Sequence, residues 1–197
     1  MCNMNVSAYT CLIGSDRVLS DKWLSLRFKQ GSKTAFSRIY KRYRDDLLRL
    51  ATSLLNEKPQ AEDVVHEAFI ALVEARESFR ITGNLKGYLI TSVVNRARNL
   101  NRNLNNRQRL HPDPNYLDRR QQRPDEWALC SEQYDRLRQA LAGLPYDQRE
   151  VIALHIRGQL TFQDIAQMQK VSIKTVQSRY RYGLNKLRVL LNGEVQP

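Results

Sequence analysis

Residues 158–188, GQLTFQDIAQMQKVSIKTVQSRYRYGLNKLR, read as two short helices joined by a tight turn. Thr161 is placed to cap the first helix. Asp164, three residues on, holds a capping-box-like position where its charge suits the positive helix end. Phe162, Ile165, Ala166 and Met168 give this helix an apolar side, Gln169, Lys170 and Val171 make the turn, and Ser172 caps the second helix. There Ile173, Val176, Tyr180, Leu184, Leu187 and Leu191 recur at three- and four-residue steps, which predicts a buried stripe. The opposite face carries Lys174, Thr175, Gln177, Ser178, Arg179, Arg181 and Lys186. From Val171 to Leu190 there are five basic residues and no acidic one. A solvated helix usually mixes signs, so an unopposed cationic face fits a polyanion better. Its residue types also suit a major groove, with Arg and Lys for guanine and phosphate, Gln for adenine, and Ser and Thr for either. The pattern is a helix-turn-helix with Ser172–Arg188 as recognition helix; the plainer alternative is an amphipathic hairpin with a basic solvent face.

The rest of the chain agrees with a nucleic-acid partner. Its 197 residues suit one medium or two small domains, 42% apolar content is enough for packed cores, and the net charge is +12. Helical periodicity dominates, with no convincing alternating strand run, so the expected class is all-α with two small domains. Cys2, Cys11 and Cys130 are far apart, which argues against a disulfide framework and for a reducing cytosol. His66, His111 and His155 are equally scattered, so neither metal nor cofactor is expected. The head lacks the pattern of a secretory signal and no apolar run approaches a bilayer span, so no membrane insertion and a cytoplasmic location are expected.

Residues 1–19 are expected as a tail and 20–106 as a first domain. Ser20–Gln30 reads as a short helix with Trp23, Leu24, Leu26 and Phe28 as apolar bulk. From Lys33 to Leu55 a long stripe follows, Phe36, Ile39, Tyr40, Tyr43, Leu47, Leu50, Ala51 and Leu54, and Pro59 opens the next helix. That helix has a core stripe of Ala61, Val64, Val65, Ala68, Phe69 and Leu72. Glu62, Asp63, His66, Glu67, Ile70, Glu74 and Glu77 lie largely elsewhere on it. Five acids against two arginines between Gln60 and Arg80 make an acidic island in a basic chain, better placed to meet a basic protein surface than DNA. Part of that charge simply complements the helix dipole.

Gly83 and Gly87 mark a break before a helix from Lys86 to about Asn106, with Tyr88, Leu89, Val93, Val94, Ala97, Leu100 and Leu104 on one side. Its second half is rich in Asn and Arg, and Asn95–Arg123 holds eight arginines against two aspartates. Such a surface can bond base edges and stack on bases exposed in a single strand. Residues 107–125, with Pro112, Pro114 and Pro124, read as a flexible basic linker. A second helical domain is expected over 126–191, with Trp127, Leu129, Tyr134, Leu137 and Leu141 as core candidates. Its Leu144-Pro145 turn leads into the helix Asp147–Arg157, and residues 192–197 form a tail.

With these stretches in view, the chain resembles the bacterial sigma factors of RNA polymerase, of the small extracytoplasmic-function (group four, sigma-70 family) type. AFSRIYKRYRDDLLRLATSLL, AEDVVHEAFIALVEA and GYLITSVVNRARNLNR resemble sigma region two. The stretch beginning LPYDQREVIALHIRG and running through the helix-turn-helix resembles sigma region four. Three positions depart from the family pattern: His66 stands where Gln is common, and Asp164 where Glu is. Tyr88 precedes Leu89 where Trp is frequent. The resemblance implies a non-enzymatic subunit that binds core RNA polymerase through Asp63, His66, Glu67 and Ile70. It implies capture of the melted minus-ten strand, where a flipped base enters a pocket, by Phe79, Tyr88, Asn95, Arg98 and Arg102. It further implies reading of minus-thirty-five duplex by Lys174, Thr175, Gln177, Ser178, Arg179 and Arg181. Many such proteins are also held by an anti-sigma partner. A stand-alone helix-turn-helix regulator with an amino-terminal dimerisation or sensing domain accounts equally well for residues 126–191. It leaves the acidic island and the Asn/Arg-rich helix without a role. An enzyme would need clustered carboxylates or metal ligands, and neither Asp45-Asp46 nor Glu62-Asp63 has a catalytic partner in the pattern.

Overall fold

Apolar residues spaced three and four apart bury themselves only when helices pair along those stripes, and the described chain consists of such pairings. The computed structural model describes residues 21–55, 57–76, 84–110 and 132–192. Most of the expected linker and tails, Phe79, Trp127, Leu129, Cys2, Cys11 and Cys130 lie outside the described residues. Eight helices are described: α1 (21–29), α2 (Lys33–Leu54), α3 (Lys58–Glu74), α4 (Leu85–Leu110), α5 (Glu132–Ala142), α6 (Tyr146–Ile156), α7 (Phe162–Gln169) and α8 (Ile173–Asn192). Helices α2, α3 and α4 pack mutually, α6, α7 and α8 form a second group with α5 laid on α8, and α2 also packs against α6.

Local chemistry sets the boundaries. Gly31 at φ 86° stops α1, and the Ser32 Oγ accepts from the Ala35 amide to cap α2. Asp21 ties α1 to α2 by accepting from Arg42 at 2.6 Å and from the Tyr43 phenol. Burial, reinforced by the bond to Asp21, pushes that phenol's pKa well up. Ala35, Ile39, Tyr43, Leu47, Leu50, Ala51 and Leu54 form the buried stripe of α2, and Pro59 stands in the first turn of α3. Ala61, Val64, Val65, Ala68, Phe69 and Leu72 are buried on α3, the set the periodicity predicts. Phe36 and Tyr40 are only half-buried, with their rings against Phe69. Ile39, Leu50, Leu54, Leu72 and Leu89 are fully buried, each worth about 1.5–3 kcal/mol relative to exposure.

Several expectations shift. Trp23 and Leu26 are exposed, because helical periodicity turns Leu24 and Phe28 inward instead. Gly87 lies inside the first turn of α4, not in a break. The same helix runs to Leu110, four residues beyond the boundary the sequence suggested. Ile90, absent from the expected stripe, is buried, whereas Tyr88 is half-buried. On α8 the inward face is Val176, Tyr180, Gly183 and Leu187, while Ile173 and Leu184 are exposed. That rotation follows from Gly183, where α8 crosses α6 so closely that a Cβ would lie 2.7 Å from Ile152 Cδ1.

The chain reverses after α6 through a tight turn. The Arg157 and Gly158 amides both donate to the Ala153 carbonyl, Gln159 takes a left-handed conformation at φ 57°, and the Leu160 amide donates to Leu154 O. A Cβ on Gly158 would lie 2.5 Å from the Leu154 carbonyl oxygen, a backbone atom with no freedom to turn away. Gly158→Ala is therefore expected to destabilise the second group of helices by about 1–3 kcal/mol, read as a lowered urea midpoint at unchanged slope.

Candidate nucleic-acid and protein interfaces

The helix-turn-helix is held by reciprocal caps. Thr161 Oγ1 accepts from the Asp164 amide at 3.2 Å, and the Thr161 amide donates back to Asp164 Oδ2 at 3.0 Å. The Thr161 hydroxyl also bonds the carboxylate at 2.6 Å, and these bonds hold the Asp164 pKa below its ordinary value. Lys170 ends α7 in the left-handed conformation at φ 55°. Ser172 Oγ then accepts from the Thr175 amide at 3.1 Å to cap α8. Behind the turn, His155 bonds Leu160 O at 2.9 Å, stacks on Phe162 and meets Tyr180 edge-on. It is a packed helix residue.

Lys174, Gln177 and Arg181 are exposed, and with the half-exposed Ser178 their spacing puts them on one face of α8. The Thr175 hydroxyl is shared with the Ser172 cap at 2.9 Å. Arg179 behaves differently from its neighbours. It pairs with Asp147 at 2.7 Å and donates to Gln169 Oε1 at 2.9 Å, bracing α8 against α6 and α7.

Helix α3 exposes Glu62, Asp63, Glu67 and Glu74 of the acidic island, and Glu77 lies outside the described residues. Asp63, His66, Glu67 and Ile70 are all exposed at helical spacing, and Val73 continues the apolar part of the face. Ile70 and Val73 keep 45% and 46% of their surface exposed. That mixture of carboxylates and uncovered apolar side chains is a protein-docking chemistry rather than a DNA one. Glu67 also reaches Arg96 of α4 at 3.3 Å.

On α4, Tyr88, Asn95, Arg98 and Arg102 follow steps of seven, three and four, one stripe of the helix. Asn95 and Arg102 are exposed. Arg98 is not free: its Nε donates to Glu150 Oε2 at 3.0 Å and its Nη2 donates to Glu150 Oε1. This bond raises the Arg98 pKa further and makes the guanidinium a fixed cation. Glu150, on α6, also accepts from Gln169 Nε2 at 3.1 Å, and its side chain is 3% exposed. A cleft of about 370 Å³ opens beside this pair, between α4, α6 and the helix-turn-helix. Glu150 is a buried, paired carboxylate the periodicity did not reveal. The one signal available was an acid set immediately before the apolar run Val151–Leu154.

No group of three or more His, Cys, Asp or Glu side chains that could hold a metal occurs among the described residues. Nor is any helix among them long and apolar enough to cross a membrane.

Residues 39–107 match the family model of Sigma-70 region 2, and residues 134–187 match that of Sigma-70, region 4. Together these matches take in more than half of the chain, in the order of the two helical groups. The chain belongs to the sigma-70 family. An extracytoplasmic-function RNA polymerase sigma-E factor of Haemophilus influenzae is 29% identical over 188 residues, covering 91% of this chain and 97% of its own. Among solved structures, CnrH in complex with the cytosolic domain of CnrY superposes with a TM-score of 0.66 at 22% identity, over 89% of this chain and 99% of its own. The Bartonella quintana sigma factor RpoE, in complex with the anti-sigma factor NepR, gives 0.58 at 25% identity, over 79% and 97%. The described sigma chain shares with them a fold of two helical domains.

Thr161→Ala removes the side-chain half of the capping box, the Oγ1 that accepts from the Asp164 amide and bonds the Asp164 carboxylate, and is expected to cost about 0.5–2 kcal/mol, read by denaturation at pH 7. Because the Asp164 pKa is depressed on folding, its share of stability is present above the unfolded carboxylate value and fades as pH falls through the folded one. The difference between Thr161→Ala and the parent should therefore shrink on acidification.

Proposed function

We propose that this protein is a sigma factor that binds core RNA polymerase and directs it to promoters by reading two separate DNA elements. The observation that carries the proposal is the division of labour along one chain. An acidic, partly apolar face on α3 and an Asn/Arg stripe on α4 occur in the region 2 domain, and a capped helix-turn-helix with a cationic face makes up the region 4 domain. A stand-alone regulator would use the second and leave the first two idle.

In this reading Asp63, His66, Glu67 and Ile70 dock on a basic surface of core polymerase. Tyr88, Asn95, Arg98 and Arg102, with Phe79, meet the melted minus-ten strand. Lys174, Gln177, Ser178 and Arg181 enter the major groove of the minus-thirty-five element, with Thr175 at the helix start. Arg179 holds the recognition helix in place rather than reading bases. Residues 20–110 and 126–191 act as the two domains, joined by residues 111–125. The protein supplies binding free energy and geometry while bond making stays with the polymerase. Two modest DNA contacts on one tether gain strength through effective concentration, provided the elements lie at the matching separation. The complex of RpoE with the anti-sigma factor NepR supports an anti-sigma partner for this chain as well. Its place of action is the cytoplasm, where core polymerase is found.

Run-off transcription tests the proposal: core polymerase stripped of sigma, a pool of genomic promoter fragments, and this protein. Specific initiation supports it, and dimeric binding to palindromic duplex without transcripts favours the regulator. In the same assay Lys174→Ala and Arg181→Ala are each expected to weaken use of the minus-thirty-five element. A base contact costs about 1–3 kcal/mol and relaxes one position; a phosphate contact weakens all sequences and lowers the salt slope by about one. The pair Asp63→Ala and Glu67→Ala should leave the helical circular dichroism unchanged while core affinity falls about two- to thirtyfold, at about 0.2–1 kcal/mol per exposed charge. Unchanged capture of core would leave the acidic island as helix-dipole chemistry alone.

A further inference from the structure

We propose that a small cavity between α2, α5 and α6 is a binding site for a phosphate group, free or at the end of a small molecule. Three arginines line it, Arg138 from α5 and Arg149 and Arg157 from α6 and its end, and no carboxylate does so among the described residues. The site stands apart from the sigma reading, since none of these residues belongs to the faces proposed for polymerase or DNA. Burial makes it more than a charged surface. Arg149 is 6% exposed, and its guanidinium carbon lies 5.5 Å from the centre of the Tyr146 ring. A guanidinium is always charged, and the cost of taking it out of water is offset by an anion beside it. Arg138 is half-buried and Arg157 exposed, so the three lead from the interior to solvent.

Size and walls select the anion. The cavity measures about 50 Å³. At about 10–15 Å³ for each water-sized position it holds roughly three to five waters, the bulk of one tetrahedral oxyanion. Arginine offers its N–H groups as a planar fork that matches two oxygens at once, and a phosphate presents more oxygens to three forks than a carboxylate does. Leu137 and Leu141 form an apolar wall. Opposite them the Thr52 and Ser53 hydroxyls donate to their own helix, at 3.0 Å to Leu48 O and 2.8 Å to Arg49 O, which leaves the anion to the arginines. A phosphate inside a nucleic-acid strand carries a sugar on each side and does not fit a hole of this size. A free or terminal phosphate does.

The helix ends make a competing demand on the same cations. The last turns of α2 and α5 line the cavity, and Arg157 caps the end of α6. Carbonyls at a helix C-terminus attract positive charge, so part of the arginine charge answers them. Three such ends at about half a negative charge each leave about half of three full cations unanswered. A phosphate, at about −1.5 to −2 near pH 7, matches that remainder.

Isothermal titration of the full chain decides this, in chloride buffer at constant ionic strength, with inorganic phosphate and pyrophosphate as probes. Saturable binding with a dissociation constant of about 1 mM or below is expected for at least one of them. Tighter phosphate assigns the free ion, and tighter pyrophosphate assigns a terminal group. Arg138→Gln combined with Arg157→Gln is expected to weaken binding at least about tenfold at unchanged helical circular dichroism. Lys22→Gln combined with Lys29→Gln removes the same charge from exposed positions outside the cavity and should leave binding within about twofold. Should the arginine pair lose helix, Arg157→Gln alone carries the test, because that side chain is exposed, with a loss of at least about threefold expected. Binding by the parent no tighter than about 10 mM for either probe overturns the site and leaves the arginines as complements to helix ends. Equal weakening by the arginine and lysine substitutions overturns it as well, since attraction to net charge alone then explains the binding.

Discussion

A carboxylate cannot be taken out of water without a partner, and Glu150, with 2% of the residue exposed, is the place where this constraint shapes the molecule. Its partners come from two other helices, Arg98 of α4 and Gln169 of α7. Neither is supplied by α6 itself. Meeting the demand of one buried acid therefore fixes how the helix-turn-helix domain sits on the domain before it. Breaking a fully buried pair costs about 3–5 kcal/mol, and less is at stake here because the Arg98 side chain keeps 31% of its surface in contact with solvent. A partly wet ion pair still joins the two groups of helices at this point.

Around that contact the charges are sorted. The α3 face concentrates acid beside exposed Ile70 and Val73, whereas α2, α4 and α8 are rich in cations. A basic protein that must meet both a protein and a polyanion keeps the two surfaces of opposite sign apart, so that each repels the wrong partner. Where a cation is not aimed outward it has a structural duty. Arg96 answers Glu67, and Arg179 answers Asp147. The exposed cations left on α8, Lys174 and Arg181 among them, are the ones positioned to change partners.

Much of this was legible along the chain. The stripe of α3 was read residue for residue, since a seventeen-residue helix leaves little freedom in which side faces a core. The capping box of Thr161 and Asp164 and the Ser172 cap were equally plain, because their partners lie within four residues. The reading of α8 was rotated, with Ile173 and Leu184 expected inside and found outside. Both faces of that helix carry apolar residues, and what chose between them was Gly183, whose missing side chain lets α6 approach. Trp23 and Leu26 misled in the same way: bulk and hydrophobicity do not state which of two neighbouring faces is buried.

The sequence by itself determined the helical class, the order of the two groups, the capped turn of the helix-turn-helix and the sign of each surface. These depend on contacts a few residues apart, where spacing and residue type suffice. Only the tertiary structure decided that Arg98 is held, that Arg179 braces rather than reaches, and that α2 lies against α6. Arg98 and Glu150 are 52 positions apart, with the expected linker between them. No periodicity links such a pair; its existence depends on how whole helices pack, and that packing is settled by the shapes and charges of all of them at once.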